Sequence, residues 1–146
     1  MTESYVFDTE AIIAFLYDEP GHDVVADLLK AVFDGDTTGY LAETNACEVL
    51  YLVARFEGAE DDTPTTESLR LADRDLRSLE RRGLTLARAD WRLAAEVKAD
   101  GHISLADAHA VALADEHDAT LLVGGDDDFD DLPVDVDVSR FRTGSG

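Results

Sequence analysis

Tyr5-Val6-Phe7-Asp8-Thr9, followed by Ile12, Ile13, Phe15 and Leu16, is the stretch on which the fold turns. Three apolar residues in a row suit a short buried strand, and the Asp-Thr pair that stops them is of the type that caps a helix. The apolar residues beyond it recur at helical spacing, so a strand passes directly into a helix.

The same alternation continues outward. Pro20-Gly21 breaks the first helix, and Val24, Val25, Leu28, Leu29 and Val32 mark a second that ends near Gly35. A strand is expected around Gly39 to Ala42, then a helix from Thr44 to Phe56 carrying Val49, Leu50, Leu52 and Val53, then an acidic loop through Pro64. Thr65-Thr66 start a helix lined by Leu69, Ala72, Leu76 and Leu79 and ended by Gly83. Leu84-Thr85-Leu86 reads as a strand, Asp90 to Ala99 as a helix stopped at Gly101, and Ser104 caps a helix to about Glu116. Ala119 to Val123 is a strong strand, and a last, alternating edge strand is expected near Val134 to Val138. Strands separated by helices predict an α/β fold: three layers, α/β/α, around a mostly parallel sheet of four to five strands. Residues 1–142 are expected to form one domain and 143–146 a flexible C-terminal tail.

Composition narrows the setting. The chain has 146 residues, 45% of them hydrophobic, which is enough for one real core. Its apolar runs are too short to span a bilayer, and the N-terminus lacks a basic segment followed by a long apolar stretch, so a cytoplasmic protein with no membrane contact is expected. Cys47 is the single cysteine, which excludes an internal disulfide and a thiolate zinc site, and it reads as a small buried residue inside a helix.

Charge is the loudest feature, with 33 acidic residues against 12 basic and a formal net charge of -21. Such a surface repels itself and repels polyanions. At molar ionic strength the Debye length falls to about 3 Å, which makes the repulsion tolerable. A salt-adapted cytosol is therefore expected, and the composition resembles that of halophilic archaeal proteins. An acidic disordered chain is excluded by the regular apolar periodicity between the acids.

Four acids stand out by position. Asp8 follows the first strand and Asp126 follows the strand ending near Val123, so both fall at carboxyl ends of the sheet, where ligands bind in such folds. Glu48 and Asp107 sit in the early turns of otherwise apolar helices, where an acid is costly unless paired, capped or bound to a metal. The plainer alternatives are a capping box between Ser104 and Asp107, and an ordinary acidic turn at Asp126 to Asp128.

The segments Val6-Phe7-Asp8-Thr9, Thr44-Asn45-Ala46-Cys47-Glu48-Val49, Ser104-Leu105-Ala106-Asp107-Ala108 and Leu121 to Phe129 resemble, in order and spacing, the four motifs of PIN-domain nucleases. The likeness is strongest to VapC-type toxins of toxin-antitoxin pairs. It implies a PIN-like fold and a ribonuclease with Asp8, Glu48, Asp107 and Asp126 as its acidic quartet. It further implies Asp128 as an accessory acid, Thr9 and Asn45 as supporting polar groups, a homodimer, an RNA substrate, and an antitoxin whose C-terminal segment fills the acidic groove. One departure is visible: Gly124 stands where the family commonly has threonine or serine, so a hydroxyl near the metal or phosphate is expected to be missing.

Hard oxygen donors point to magnesium or manganese. Two carboxylates about 4 Å apart repel by roughly 4 kcal/mol at an effective dielectric of 20, so a cation is also an electrostatic need. His22, His102, His109 and His117 are dispersed and read as surface or packing residues. Arg70, Arg74, Arg77 and Arg81 form a helical stripe suited to phosphate, or to pairing with Glu67, Asp73 and Glu80 on a solvated face. Two other readings compete with the toxin: an RNA-processing nuclease without an antitoxin, and a non-catalytic acidic metal-binding module such as a receiver-like domain. The latter wants an acidic pair after the first strand and a late lysine, and neither is present.

Overall fold

The computed structural model describes residues 3–125 and 127–142, with the Asp127 side chain left out, so the expected tail at 143–146 and the Asp126 position lie outside the described residues. The elements run β1 (Ser4–Phe7), α1 (Thr9–Tyr17), α2 (His22–Phe33), β2 (Thr38–Ala42), α3 (Glu43–Phe56), α4 (Thr66–Arg82), β3 (Thr85–Ala87), α5 (Trp91–Asp100), α6 (Leu105–His117), β4 (Thr120–Val123) and β5 (Val138–Arg140). A single 3-10 turn, Asp127–Phe129, lies between the last two strands. The sheet has the order β3-β2-β1-β4-β5, and every neighbouring pair is parallel.

Side chains alternate across the sheet, as a period of two requires. Phe7, Leu41 and Leu122 face one way, onto Ile12, Leu29, Val49 and Leu76 of α1 to α4. Val6, Ala42, Leu121 and Val123 face the other, onto Val97 of α5 and Val111 and Leu113 of α6. Both faces are therefore dry, which is what short, wholly apolar parallel strands demand. The expected three-layer α/β architecture is the one found.

Several boundaries and faces differ from the sequence reading. Strand β3 begins at Thr85 because Leu84, 1% exposed, still closes α4, its N–H donating to the carbonyl of Leu79 at 3.1 Å. The last strand is Val138–Arg140 rather than Val134 to Val138; Val134 and Val136 only pack against the second core cluster, while the ladder starts at Leu121 opposite Val138. Leu69 is 42% exposed, since the buried stripe of α4 runs through Ser68, Ala72, Leu76 and Leu79. Ser68 is drawn inward by a reciprocal capping box with Thr65. Cys47 is exposed, not buried, because it lies two residues from both Asn45 and Val49 on the inward face of α3, about 200° around the helix.

The later placement of β5 brings Phe141 into the first core, 4% exposed, with its N–H on the Val123 carbonyl at 2.9 Å. Gly21, at φ 87°, lies so close to this segment that a Cβ there would meet the Phe141 carbonyl oxygen at 2.5 Å. The C-terminal segment is thus part of the core. Phe141→Ala should cost about 3–5 kcal/mol of unfolding free energy by urea titration in molar salt; a loss under about 1 kcal/mol contradicts that packing.

Candidate active site

Strand order reverses beside β1: the chain steps through β2 and β3 on one side and returns through α5 and α6 to β4 on the other. The carboxyl ends of β1 and β4 therefore open into a crevice. Asp8 lies on this rim, its N–H donating to the Leu122 carbonyl at 3.2 Å. Its carboxylate caps α1, Oδ1 accepting from the Ala11 N–H at 2.7 Å. Only 2% of the residue is exposed.

Three sequence-predicted acids share this crevice. A cavity of about 260 Å³ is lined by Asp8, Thr9, Glu10, Ile13, Glu48, Leu52, Ser104, Asp107 and Phe129. Glu48 reaches it from the second turn of α3, and Asp107 from the first turn of α6, where its N–H donates to Ser104 Oγ at 3.1 Å. That bond is one half of the capping-box alternative. Asp128 instead lines a neighbouring cleft of about 630 Å³, together with Asp100, His102, Asp130 and Asp131. Among the described residues no three acidic, histidine or cysteine side chains close on a single ion-sized point.

The supporting polar pair is built into the core. Asn45 is fully buried in the first turn of α3, and its Nδ2 donates to Thr9 Oγ1 at 3.0 Å. Its Oδ1 is the one buried side-chain polar atom without a partner among the described residues. Thr9 lines the cavity, and Asn45 lies behind it.

Electrostatics follow from burial. Desolvation pushes the Asp8 carboxyl well above the usual carboxylate range, against the lowering effect of the Ala11 N–H bond. Asp107 and Glu10 push it further up, and Arg142 pulls it down.

Glu10 was not singled out in the sequence, where it is one acid among many in the first turn of a helix. Its signal is Gly124. A Cβ on Gly124 would lie 2.6 Å from the Glu10 carboxyl atoms, so the room left by the small residue holds a carboxylate. The arginine stripe, by contrast, follows its plainer reading in part: Arg70 pairs with Glu67 at 2.9 Å, and Arg77 with Asp73 and Glu80 at 3.4 Å. The histidines are likewise packing or surface groups, His109 meeting Thr44 Oγ1 at 3.1 Å and His117 stacking on Tyr40 at 4.2 Å.

No curated protein is similar to the chain in sequence. Among solved structures it is similar to VapBC2 from Rickettsia felis bound to a promoter DNA fragment, with TM-score 0.65 and 15% identity over 94% of this chain and 98% of that one. It is also similar to FitAcB from Neisseria gonorrhoeae, with TM-score 0.62 and 21% identity over 94% and 97% of the two chains. A third is VapC20 from Mycobacterium tuberculosis, a Sarcin-Ricin loop cleaving toxin, with TM-score 0.57 and 13% identity over 80% and 86%. At these identities the likeness is one of fold. The PIN domain family model matches residues 5–135, which takes in Asp8, Asn45, Glu48 and Asp107 and four of the five strands, and on that match this chain belongs to the PIN domain family.

Proposed function

We propose that the chain is a magnesium- or manganese-dependent ribonuclease, the toxin of a type II toxin-antitoxin pair. The observation that carries the reading is that Asp8, Glu48 and Asp107, from three separate elements, line one cavity at the switch point of the sheet. Asp8, Glu48 and Asp107 would hold the cation, with Asp126 joining them on the strength of the family resemblance. The donor set fits such an ion: it is all hard oxygen, and Asn45, hydrogen-bonded to the lining residue Thr9, keeps an unpartnered buried Oδ1. Bound there, the ion polarises a phosphoryl oxygen and lowers the pKa of a water at the scissile bond.

The chain's own residues do the positioning. The Ala11 N–H fixes one oxygen of Asp8, a residue that lines the cavity. Asn45 sets the Thr9 hydroxyl, and Ile13, Leu52 and Phe129 supply an apolar wall that limits water. A high-salt cytosol supports RNA binding by a surface of charge -21, because screening shortens the range of repulsion. VapBC2 and FitAcB are complexes of two partners, which supports an antitoxin here. Tyr51 and Phe56 on α3 and Leu69 on α4 are exposed, and they suit an apolar segment of that antitoxin or a second copy of the chain. Among the described residues no helix is long and apolar enough to cross a membrane.

Purified chain incubated with total RNA in molar potassium chloride is expected to cleave it with magnesium or manganese and to leave it intact in chelator. Intact RNA under every metal condition, or equal cleavage in chelator, removes the proposal.

A further inference from the structure

The single tryptophan of the chain, Trp91, opens α5 and stands 60% exposed, the most open of the large apolar side chains among the described residues. One exposed aromatic means little by itself; its neighbours make the case. A pocket of about 440 Å³ lies beside it, lined also by Arg88, Asp90, Arg92 and Glu116. In a chain with 12 basic residues against 33 acidic, two arginines flanking the tryptophan are a local change of character. The oxygens of both acids are engaged by the backbone. Asp90 Oδ1 accepts from the Arg92 and Leu93 N–H groups, each at 3.1 Å, and Glu116 Oε1 accepts from the Asp90 N–H at 3.1 Å. Arg92 reaches only Glu96, at 3.4 Å on an exposed face where an ion pair contributes little. Among the described residues the Arg88 guanidinium has no ion pair or hydrogen bond.

The pocket is also near the crevice. Strand β3 ends at Ala87, which the pairings of β1 with β2 and of β2 with β3 put level with Asp8, two strand spacings or about 10 Å across the sheet. Arg88 is the next residue. Along α6 the rise from Asp107 to Glu116 is about 14 Å.

We propose that the pocket at Trp91 is a subsite for single-stranded RNA, one base stacking on the indole and a neighbouring phosphate taken by Arg88. This rests on the ribonuclease reading above and adds to it a grip outside the acidic crevice. A surface of charge -21 cannot hold a polyanion by broad attraction. Stacking on an aromatic face needs no net positive charge and accepts any base. A guanidinium without a partner suits a phosphate, whose oxygens its planar fork of N–H groups matches. A second copy of the chain is the competing occupant.

Because Trp91 is the only tryptophan, its fluorescence reports this pocket alone. In chelator, where cleavage is not expected, a short oligouridylate should quench it to saturation, and inorganic polyphosphate, which has charge without bases, should quench it far less. With a fluorescein-labelled oligouridylate followed by anisotropy, Trp91→Ala is expected to weaken binding about 10-fold, as loss of one stacked base does. Arg88→Ala should also weaken it and should lower the slope of log affinity against log salt by about 0.7, the value for one phosphate on a single strand. Trp91→Ala should keep the parent slope. Both side chains are exposed, so both variants should keep native circular dichroism spectra. Parent affinity in either variant, or an unquenched parent, overturns the proposal. So does a Trp91→Ala chain that elutes as a smaller species while binding RNA like the parent, which gives the pocket to a second copy. Quenching and weakened variants in a chain that cleaves RNA with no metal leave the RNA pocket and remove the nuclease, whereas metal-dependent cleavage with parent affinity in either variant removes the subsite alone.

Discussion

Asp8→Asn is expected to abolish RNA cleavage while raising the melting midpoint of the metal-free protein. Asparagine caps a helix about as well as aspartate, so the bond from the Ala11 N–H survives and α1 starts as before. What disappears is a carboxylate buried to 2% exposure, whose ionised form the fold disfavours through desolvation first and through Asp107 and Glu10 after that. Because the folded-state pKa lies above the unfolded one, the stability linked to this group is fully present below the ordinary carboxylate value. It is lost as pH rises through the raised value. In chelator, the parent should therefore weaken over that pH window, and the variant should show a shallower slope. Cleavage should fall by more than about 100-fold, since even groups that only surround a metal carry roughly 10–100-fold. Circular dichroism, chelator melts across pH and an RNA cleavage assay read the three effects. Native spectra with retained cleavage would move the chemistry elsewhere.

The second large effect is expected from the cation itself. An ion that binds only the folded chain at a hundred times its dissociation constant stabilises it by about 2.7 kcal/mol. For a domain of this size that is about 5–10 °C in melting midpoint. It should exceed any screening effect when ionic strength is held constant with potassium chloride, because magnesium bound in the cavity would also relieve the repulsion that Asp107 and Glu10 exert on Asp8. Asp8→Asn should lose most of the shift. Equal midpoints in chelator and in excess magnesium would contradict a cation site in this cavity.

Much of the fold can be read in the chain because parallel strands buried on both faces leave plain marks. Tyr5-Val6-Phe7 and Leu121-Leu122-Val123 are continuous apolar runs, and the residues that stop them, Asp8 and Gly124, fall on the rim. The edges were harder. Val134, Val136 and Val138 alternate as a strand should, yet the ladder begins only at Val138, since hydrogen bonding is decided by where Phe141 must be buried. In the site, Asp8, Glu48 and Asp107 were legible from strand end and early helix turns, and the structure brings them to one cavity. Asp126 lies outside the described residues, and Asp128 lines the neighbouring cleft. Glu10 was invisible for a physical reason: its position depends on Gly124 and Arg142, both more than a hundred residues away in sequence, and local periodicity carries no trace of such a meeting.

The central strand of the sheet is also its earliest, and one of its two partners, β4, is separated from it by nearly the whole described chain. Pairings this distant form late, because the intervening polypeptide must first be closed into a loop. On the ribosome, a nascent chain carries Asp8 long before Leu122 and has no completed crevice until Leu122 has left the exit tunnel. Translation thus leaves the crevice open on one side until more than a hundred residues beyond Asp8 have been made.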